Sequence, residues 1–288
     1  MATLGELFVE GVRRLAQAEN RNARLDAQVL LEHATGMERS VCYAYPEREV
    51  TAEQEQHFLA LLERRLQGEP VAYLVGHKEF YGLDFLIDKR VLIPRPETEL
   101  LVEAALEVIR RKLSAGQVPI IADVGTGSGI IPVTLAVEEP RLPYLYASDI
   151  SADALEVARL NCQRHRVAQR IRLLHGDLLA SLPERVDVLT ANLPYIGNNE
   201  IDMLTADVFD YEPHLALFSG PHGLDLLHRL LIAAQQLAIL KEKAVVLLEI
   251  GYQQRAALEQ FLHEVWPQAT VTFTKDYAGW DRLLLLQT

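Results

Sequence analysis

From Val118 to the end of the chain, short apolar runs alternate with stretches whose apolar residues recur at helical spacing. That alternation admits few folds, because strands separated by helices pair side by side into a mostly parallel sheet covered on both faces. The expected strands are Pro119 to Val124, Leu145 to Asp149, Ile171 to His175, Val186 to Thr190 and Ala244 to Ile250. Helices are expected at Gly129 to Val137, Ala152 to Cys162, Leu224 to Leu240 and Gln253 to Val265. Two last runs, Val271 to Phe273 and Leu283 to Leu286, lie close enough in sequence to form an antiparallel pair at one edge. The fold class is therefore α/β. The polar, proline-containing stretch from Gly197 to Gly220 reads as an insertion, not a strand.

The chain before this sheet has a different period. Leu4, Leu7, Phe8, Val12 and Leu15, then Leu25, Val29 and Leu30, stand at helical spacing, and the pattern continues to about Gly68. Thr51 and Gln54 form a capping box, Gly68 suits a C-terminal cap, and Pro70 forbids continuation of a helix whose apolar face is Phe58, Leu61, Leu62 and Leu66. Phe80, Tyr81, Gly82, Phe85 and Ile87 then suggest a hairpin. After it, Pro94 and Pro96 stiffen a loop that leads into a helix from Thr98 to Leu113. The expected organisation is a small helical domain from Met1 to Ala72, a linking hairpin from Tyr73 to Ile93, and a larger domain from Pro94 to Thr288.

Composition removes several functions. A net charge of -12, from 40 acidic against 28 basic residues, argues against a broad nucleic-acid footprint. Cys42 and Cys162 form no CxxC pair, and the nine histidines show no HExxH spacing, so no metal site is expected. Ser128 lacks the glycines two positions to either side that a nucleophile elbow requires. The longest apolar run, Leu226 to Leu240, is broken by His228, Arg229, Gln235 and Gln236, so no membrane span is expected. Met1 to Glu10 reads as an amphipathic helix start and not as a signal peptide, and a cytoplasmic location is expected.

The chemistry gathers at strand ends. The first ends in Asp123-Val124-Gly125-Thr126-Gly127-Ser128-Gly129, whose glycines let the backbone turn sharply and approach a ligand. The spacing is GxGxG, not the GxGxxG of dinucleotide sites, and it suits the amino-acid tail and ribose of a nucleoside. Asp149 closes the second strand, where a carboxylate can accept both ribose hydroxyls, and Asp177 follows the third, where it could hold an adenine amino group. The fourth runs into Asn192-Leu193-Pro194-Tyr195. Pro194 ends pairing there and leaves carbonyls for a ligand, while Asn192 adds an amide oxygen and Tyr195 a flat ring, a set that suits a planar NH2 group. A strand-ending turn that merely caps itself uses the same residues. Four neighbouring strand ends bearing Gly, Asp, Asp and Asn lie on the edge where open α/β sheets bind ligands.

These segments, with Val91 to Glu99, Glu212-Pro213, Gly220 to Leu224, Glu249-Ile250-Gly251 and Gly279 to Arg282, resemble the HemK-type glutamine N5-methyltransferases of peptide chain release factors. That family lies within the Rossmann-like class I S-adenosylmethionine-dependent methyltransferases, and the resemblance covers nearly the whole chain. It implies that Gly125, Thr126, Gly127, Ser128 and Gly129 hold the methionine part of the cofactor, Asp149 its ribose, and Asp177 and Leu178 its adenine. Asn192, Leu193, Pro194 and Tyr195 would bind the substrate glutamine and carry catalysis, with Asn192 also touching the cofactor. The N-terminal helices would help dock the release factor, and a monomer is expected. Leu193 departs from the usual Asn-Pro-Pro-Tyr but still supplies a carbonyl, and Leu178 offers only apolar contact where an aromatic is frequent. Glu249 and Asp281 read equally well as partners of Arg282 and as catalytic groups. Two other functions fit the same residues: an adenine N6-methyltransferase, whose NH2 presents similar geometry, and a module that binds S-adenosylmethionine without turnover.

Overall fold

In the computed structural model, which describes every residue except Met1, the chain enters its first helix through a capping box. Thr3 Oγ1 accepts the Glu6 N–H at 3.2 Å while the Glu6 carboxylate accepts the Thr3 N–H at 2.8 Å, starting α1 (Leu4–Gln17). There follow α2 (Ala23–Thr35), α3 (Arg39–Ala44), α4 (Ala52–Leu66) and α5 (Val71–Val75). The capping box expected at Thr51 and Gln54 opens α4, and Gly68, with φ of 100°, stands just past its end. These helices bury Leu4, Leu7, Leu15, Leu30, Leu31, Phe58, Leu61 and Leu62 in one core. Leu25, expected on the apolar face, is 53% exposed instead. The face that packs is Ala27, Leu30, Leu31 and Ala34, because small alanines let α2 approach its neighbours. This unit reaches to His77 and includes Thr205–Tyr211.

The second unit comprises Lys78–Leu204 and Glu212–Thr288. The short strands β1 (His77–Phe80) and β2 (Leu83–Leu86) pair through Tyr81 and Gly82, both at positive φ (53° and 73°), the geometry of a tight two-residue hairpin. Next in order come α6 (Thr98–Ser114), β3 (Ile121–Val124), α7 (Ile130–Glu138), β4 (Leu145–Asp149), α8 (Ala152–Arg164), β5 (Ile171–His175) and β6 (Val186–Ala191). After α9 (Ala206–Tyr211), which groups with the first unit, the chain adds α10 (Asp225–Gln236), β7 (Leu240–Glu249), α11 (Arg255–Val265), β8 (Thr270–Lys275) and β9 (Asp281–Gln287).

The sheet order is β5-β4-β3-β6-β7-β9-β8, parallel as far as β7, with β9 antiparallel to both its neighbours. Val124 is in register with Ser148 on one side and with Ala191 on the other, and Ala191 with Leu248. The C-terminal ends of β3, β4, β6 and β7 therefore line up. From β3 the chain steps outward to β4 and β5, then returns to the other side as β6, which opens a crevice between β3 and β6.

Most boundaries shift by one or two residues, and the largest differences fall between α10 and β7. The helix expected to reach Leu240 stops at Gln236, and β7 starts at Leu240 instead of Ala244. Ala238, at φ of 47°, turns the chain, and the polar Lys241-Glu242-Lys243 occupies the partly exposed start of β7. Charged residues at the open end of a strand hide it from an apolar-run criterion.

Candidate active site

The loop after β3 is pinned to β4. Gly125 and Thr126 donate their N–H groups to the Ser148 carbonyl at 2.9 and 3.0 Å, and Gly129 N–H reaches Thr126 O at 2.8 Å. Asp149 holds the middle of the loop, accepting from Gly127 N–H at 2.8 Å with one oxygen and from Ser151 N–H at 2.9 Å with the other. Burial raises the Asp149 carboxyl above its ordinary range, and those backbone donors oppose the shift. Gly125, at φ of 72°, has no room for a side chain: a Cβ would come within 2.7 Å of the Leu193 side chain. Gly127, at φ of 55°, has open space where its Cβ would be, whereas Gly129 packs against Ala158. Beneath the loop, Asp123 is fully buried; it accepts from Thr190 Oγ1 at 2.7 Å, and its Oδ2 has no partner among the described residues. Burial pushes this carboxyl up to about 7.

At the end of β6, Asn192 points its Nδ2 at Thr98 Oγ1, 3.0 Å away. Thr98 in turn donates to Glu249 Oε2 at 2.7 Å, and the Tyr195 hydroxyl donates to Glu249 Oε1 at 3.1 Å. Thr98 and Glu249 are buried, and burial raises the Glu249 carboxyl, opposed by the hydroxyls of Thr98 and Tyr195. Burial, then the neighbouring carboxylate, raises the Tyr195 hydroxyl as well. The backbone beyond is tied down: Tyr195 O accepts from Gln254 Nε2 at 2.8 Å, and Ile196 N–H reaches Leu217 O at 3.0 Å. By contrast, neither Asn192 Oδ1 nor the Leu193 carbonyl accepts a hydrogen bond among the described residues.

A cavity of about 260 Å³ joins the two loops. Its lining includes Gly125, Thr126, Gly127, Ser128, Asp149, Asp177, Leu178, Asn192, Leu193 and Pro194. Gly129 and Tyr195 are outside the lining, Gly129 at the start of α7 and Tyr195 with its hydroxyl on Glu249. Asp177 is ion-paired with Arg229 at 2.6 Å near the surface, and Leu178 sits at φ of 49°, a conformation that costs a non-glycine residue about 1 kcal/mol. The lining also holds residues outside the expected site, among them Thr98, Arg95, Arg229 and Ile150, the last 51% exposed. Arg95 is held at 2.5 Å by buried Glu212, which also takes the Ile93 N–H at 3.0 Å and so fixes the proline loop. The two prolines around Arg95 were the available signal, since a stiff loop is a positioning device.

Two family descriptions match the chain: the PrmC N-terminal domain over residues 6–76 and the methyltransferase small domain over residues 98–215. The "Release factor glutamine methyltransferase" of Koribacter versatilis is 41% identical over 87% of this chain and 87% of its own length. That of Moorella thermoacetica is 42% identical over 98% of both. The chain belongs to the release factor glutamine methyltransferase family. It is accordingly an enzyme of the methyltransferase class, and the cavity lies where such α/β sheets bind ligands, at the β3–β6 crossover. Among solved structures, a methyltransferase from Pyrococcus furiosus superposes with a TM-score of 0.51 at 16% identity, covering 78% of this chain and 96% of its own. The hMettl16 catalytic domain, solved in complex with MAT2A 3'UTR hairpin 6, gives a TM-score of 0.58 at 17% identity, covering 78% of this chain and 81% of its own. At such identities the likeness is one of fold. Among the described residues no helix is long and apolar enough to cross a membrane, and no three His, Cys, Asp or Glu gather as metal ligands.

Proposed function

We propose that this chain transfers a methyl group from S-adenosylmethionine to the side-chain amide nitrogen of a glutamine in peptide chain release factors, the glutamine of their Gly-Gly-Gln motif. The observation that carries the reading is the pair of acceptors, Asn192 Oδ1 and the Leu193 carbonyl, unengaged among the described residues, on two residues that line the same cavity as the glycine loop. Two acceptors side by side complement the two N–H bonds of a carboxamide and repel a carboxylate. The names of the relatives support the same substrate class.

The residues present fit the cofactor. Open space at Gly127 admits close approach to the backbone, Asp149 and Asp177 supply acceptors for hydroxyl and amino groups, and Ile150 and Leu178 supply apolar flanks. When bound, S-adenosylmethionine supplies an electrophilic methyl group on a sulfonium. The protein's task is to prepare the nucleophile. An amide nitrogen is weak because its lone pair is delocalised into the carbonyl. Asn192 and Leu193, each accepting one N–H, hold the nitrogen in place and stabilise positive charge as it develops there. No base is required before attack, since the proton becomes acidic only once the nitrogen carries the new methyl, and it can leave to water. Leu193 forms its side of the clamp while its side chain packs over Gly125, tying the substrate turn to the cofactor loop.

In this reading the helices from Met1 to Ala72 dock the release factor, the segment from Tyr73 to Ile93 links, and Pro94 to Thr288 carries the chemistry in the cytoplasm. The test is methyl incorporation into a purified release factor, with the modified residue located by mass spectrometry and with DNA and RNA as parallel substrates. Label on the motif glutamine supports the reading. Label on nucleic acid only, or on no substrate, rejects it.

A further inference from the structure

Buried Thr98 and Glu249 and the partly buried Tyr195 form a hydrogen-bonded group that ends on the Asn192 carboxamide. Burial raises the Glu249 carboxyl, but both hydroxyls beside it are placed as donors to its two oxygens and oppose that rise, and a carboxylate so held only accepts hydrogen bonds. Thr98 therefore gives its one hydroxyl proton to Glu249, at 2.7 Å, and Tyr195 gives its own to the other oxygen, at 3.1 Å. Thr98 Oγ1 is left with lone pairs alone. Asn192 can meet it only through Nδ2, as it does at 3.0 Å, and the opposite end of the planar amide, Oδ1, is turned away from Thr98. A flipped amide would set Oδ1 against those lone pairs and present Nδ2 to the substrate, which suits a carboxylate or an amide oxygen.

We propose that Glu249, acting through Thr98, is a positioning residue that locks Asn192 with its acceptor toward the substrate, and that this lock makes the site choose a carboxamide nitrogen over a carboxylate. The proposal rests on the reading of Asn192 as an amide acceptor given above. It also accounts for a buried carboxylate at the end of β7, 1% exposed, whose two oxygens are both spent on hydroxyls. A charge in such a place is costly to keep, and a fixed hydrogen-bond direction is what it secures here.

The test uses the full-length enzyme with two forms of a release factor: the glutamine form as substrate, and the form with that glutamine changed to glutamate as inhibitor. Thr98→Val keeps the shape and removes the hydroxyl; Thr98→Ser keeps the hydroxyl; Glu249→Gln places a donor where only acceptors stood. Thr98→Val and Glu249→Gln are expected to lower kcat on the glutamine form by about tenfold or more, in line with losing one oriented donor or acceptor at a reacting centre. Both are expected to bind the glutamate form several-fold tighter, with cofactor affinity by calorimetry unchanged and with Thr98→Ser close to the parent. This crossing of two ligands is not a consequence of partial unfolding, which weakens both. A parent that methylates the factor while Thr98→Val keeps both kcat and discrimination overturns the lock and leaves the functional reading intact. So does a loss of turnover, glutamate binding and cofactor affinity together. A parent inactive on the release factor overturns the functional reading, and the lock with it.

Discussion

Asp123 is a carboxyl group shut away from solvent: its residue is 0% exposed, and Thr190 donates a hydrogen bond to it. Its pKa rises from 3.8 to about 7 on folding, so the folded chain binds this proton more tightly than the unfolded one. The stabilisation is complete below the unfolded pKa and is lost as pH climbs through the folded value. Asp123→Asn keeps the acceptor for Thr190 and cannot ionise. Urea titrations should show the variant and the parent close at pH near 4 and separating in the variant's favour by up to ~4 kcal/mol above neutral pH, following 1.36 kcal/mol per pKa unit. Parallel stability profiles would refute the assignment. Asp149 has a different task, since it both faces the cavity and holds Gly127 N–H. Asp149→Ala should weaken S-adenosylmethionine binding by about tenfold or more, the order expected for a hydrogen bond to a charged group; equal affinity by calorimetry removes it from the site. Asn192→Ala should instead lower kcat about a hundredfold with cofactor affinity preserved, as for loss of an oriented transition-state partner. An unchanged kcat would end its proposed role.

The glycine loop after β3 and the turn after β6 work as one piece because Leu193 covers Gly125. An alanine at Gly125 would take on the left-handed φ of 72° and press a methyl to within 2.7 Å of Leu193. Gly125→Ala should therefore destabilise the protein by about 1–3 kcal/mol, the usual cost of strain and overpacking, and should impair cofactor binding and turnover together. A variant with the parent's melting temperature and full activity would show that the two loops are independent. Most elements were legible because their signals are local. The box of Thr51 and Gln54 announces α4, and the runs at Leu145–Asp149 and Ile171–His175 match strands end for end. Leu25 and the start of β7 were misjudged because burial of a helix face, or of a charged strand end, depends on what packs against it.

At the scale of the molecule, the order reversal at β3 collects residues from Arg90 to Arg229 around one cavity inside the second unit. Saturating S-adenosylmethionine should stabilise that unit by about 2.7 kcal/mol at a hundred times Kd. Hydrogen exchange of the full chain is expected to gain protection at Gly125 to Gly129 and Asn192 to Tyr195, with α1 to α4 unchanged; protection confined to the helical unit would contradict the site. The sequence by itself determined the α/β class, the strand ends bearing Gly125, Asp149, Asp177 and Asn192, and the family, because periodicity and short motifs are written in neighbouring residues. Only the tertiary structure decided which way Asn192 faces. Its partner Thr98 lies 94 residues away, and Thr98 answers to Glu249, a further 151 residues along. Hydrogen-bond direction is a property of groups that meet in space, and no local pattern encodes it.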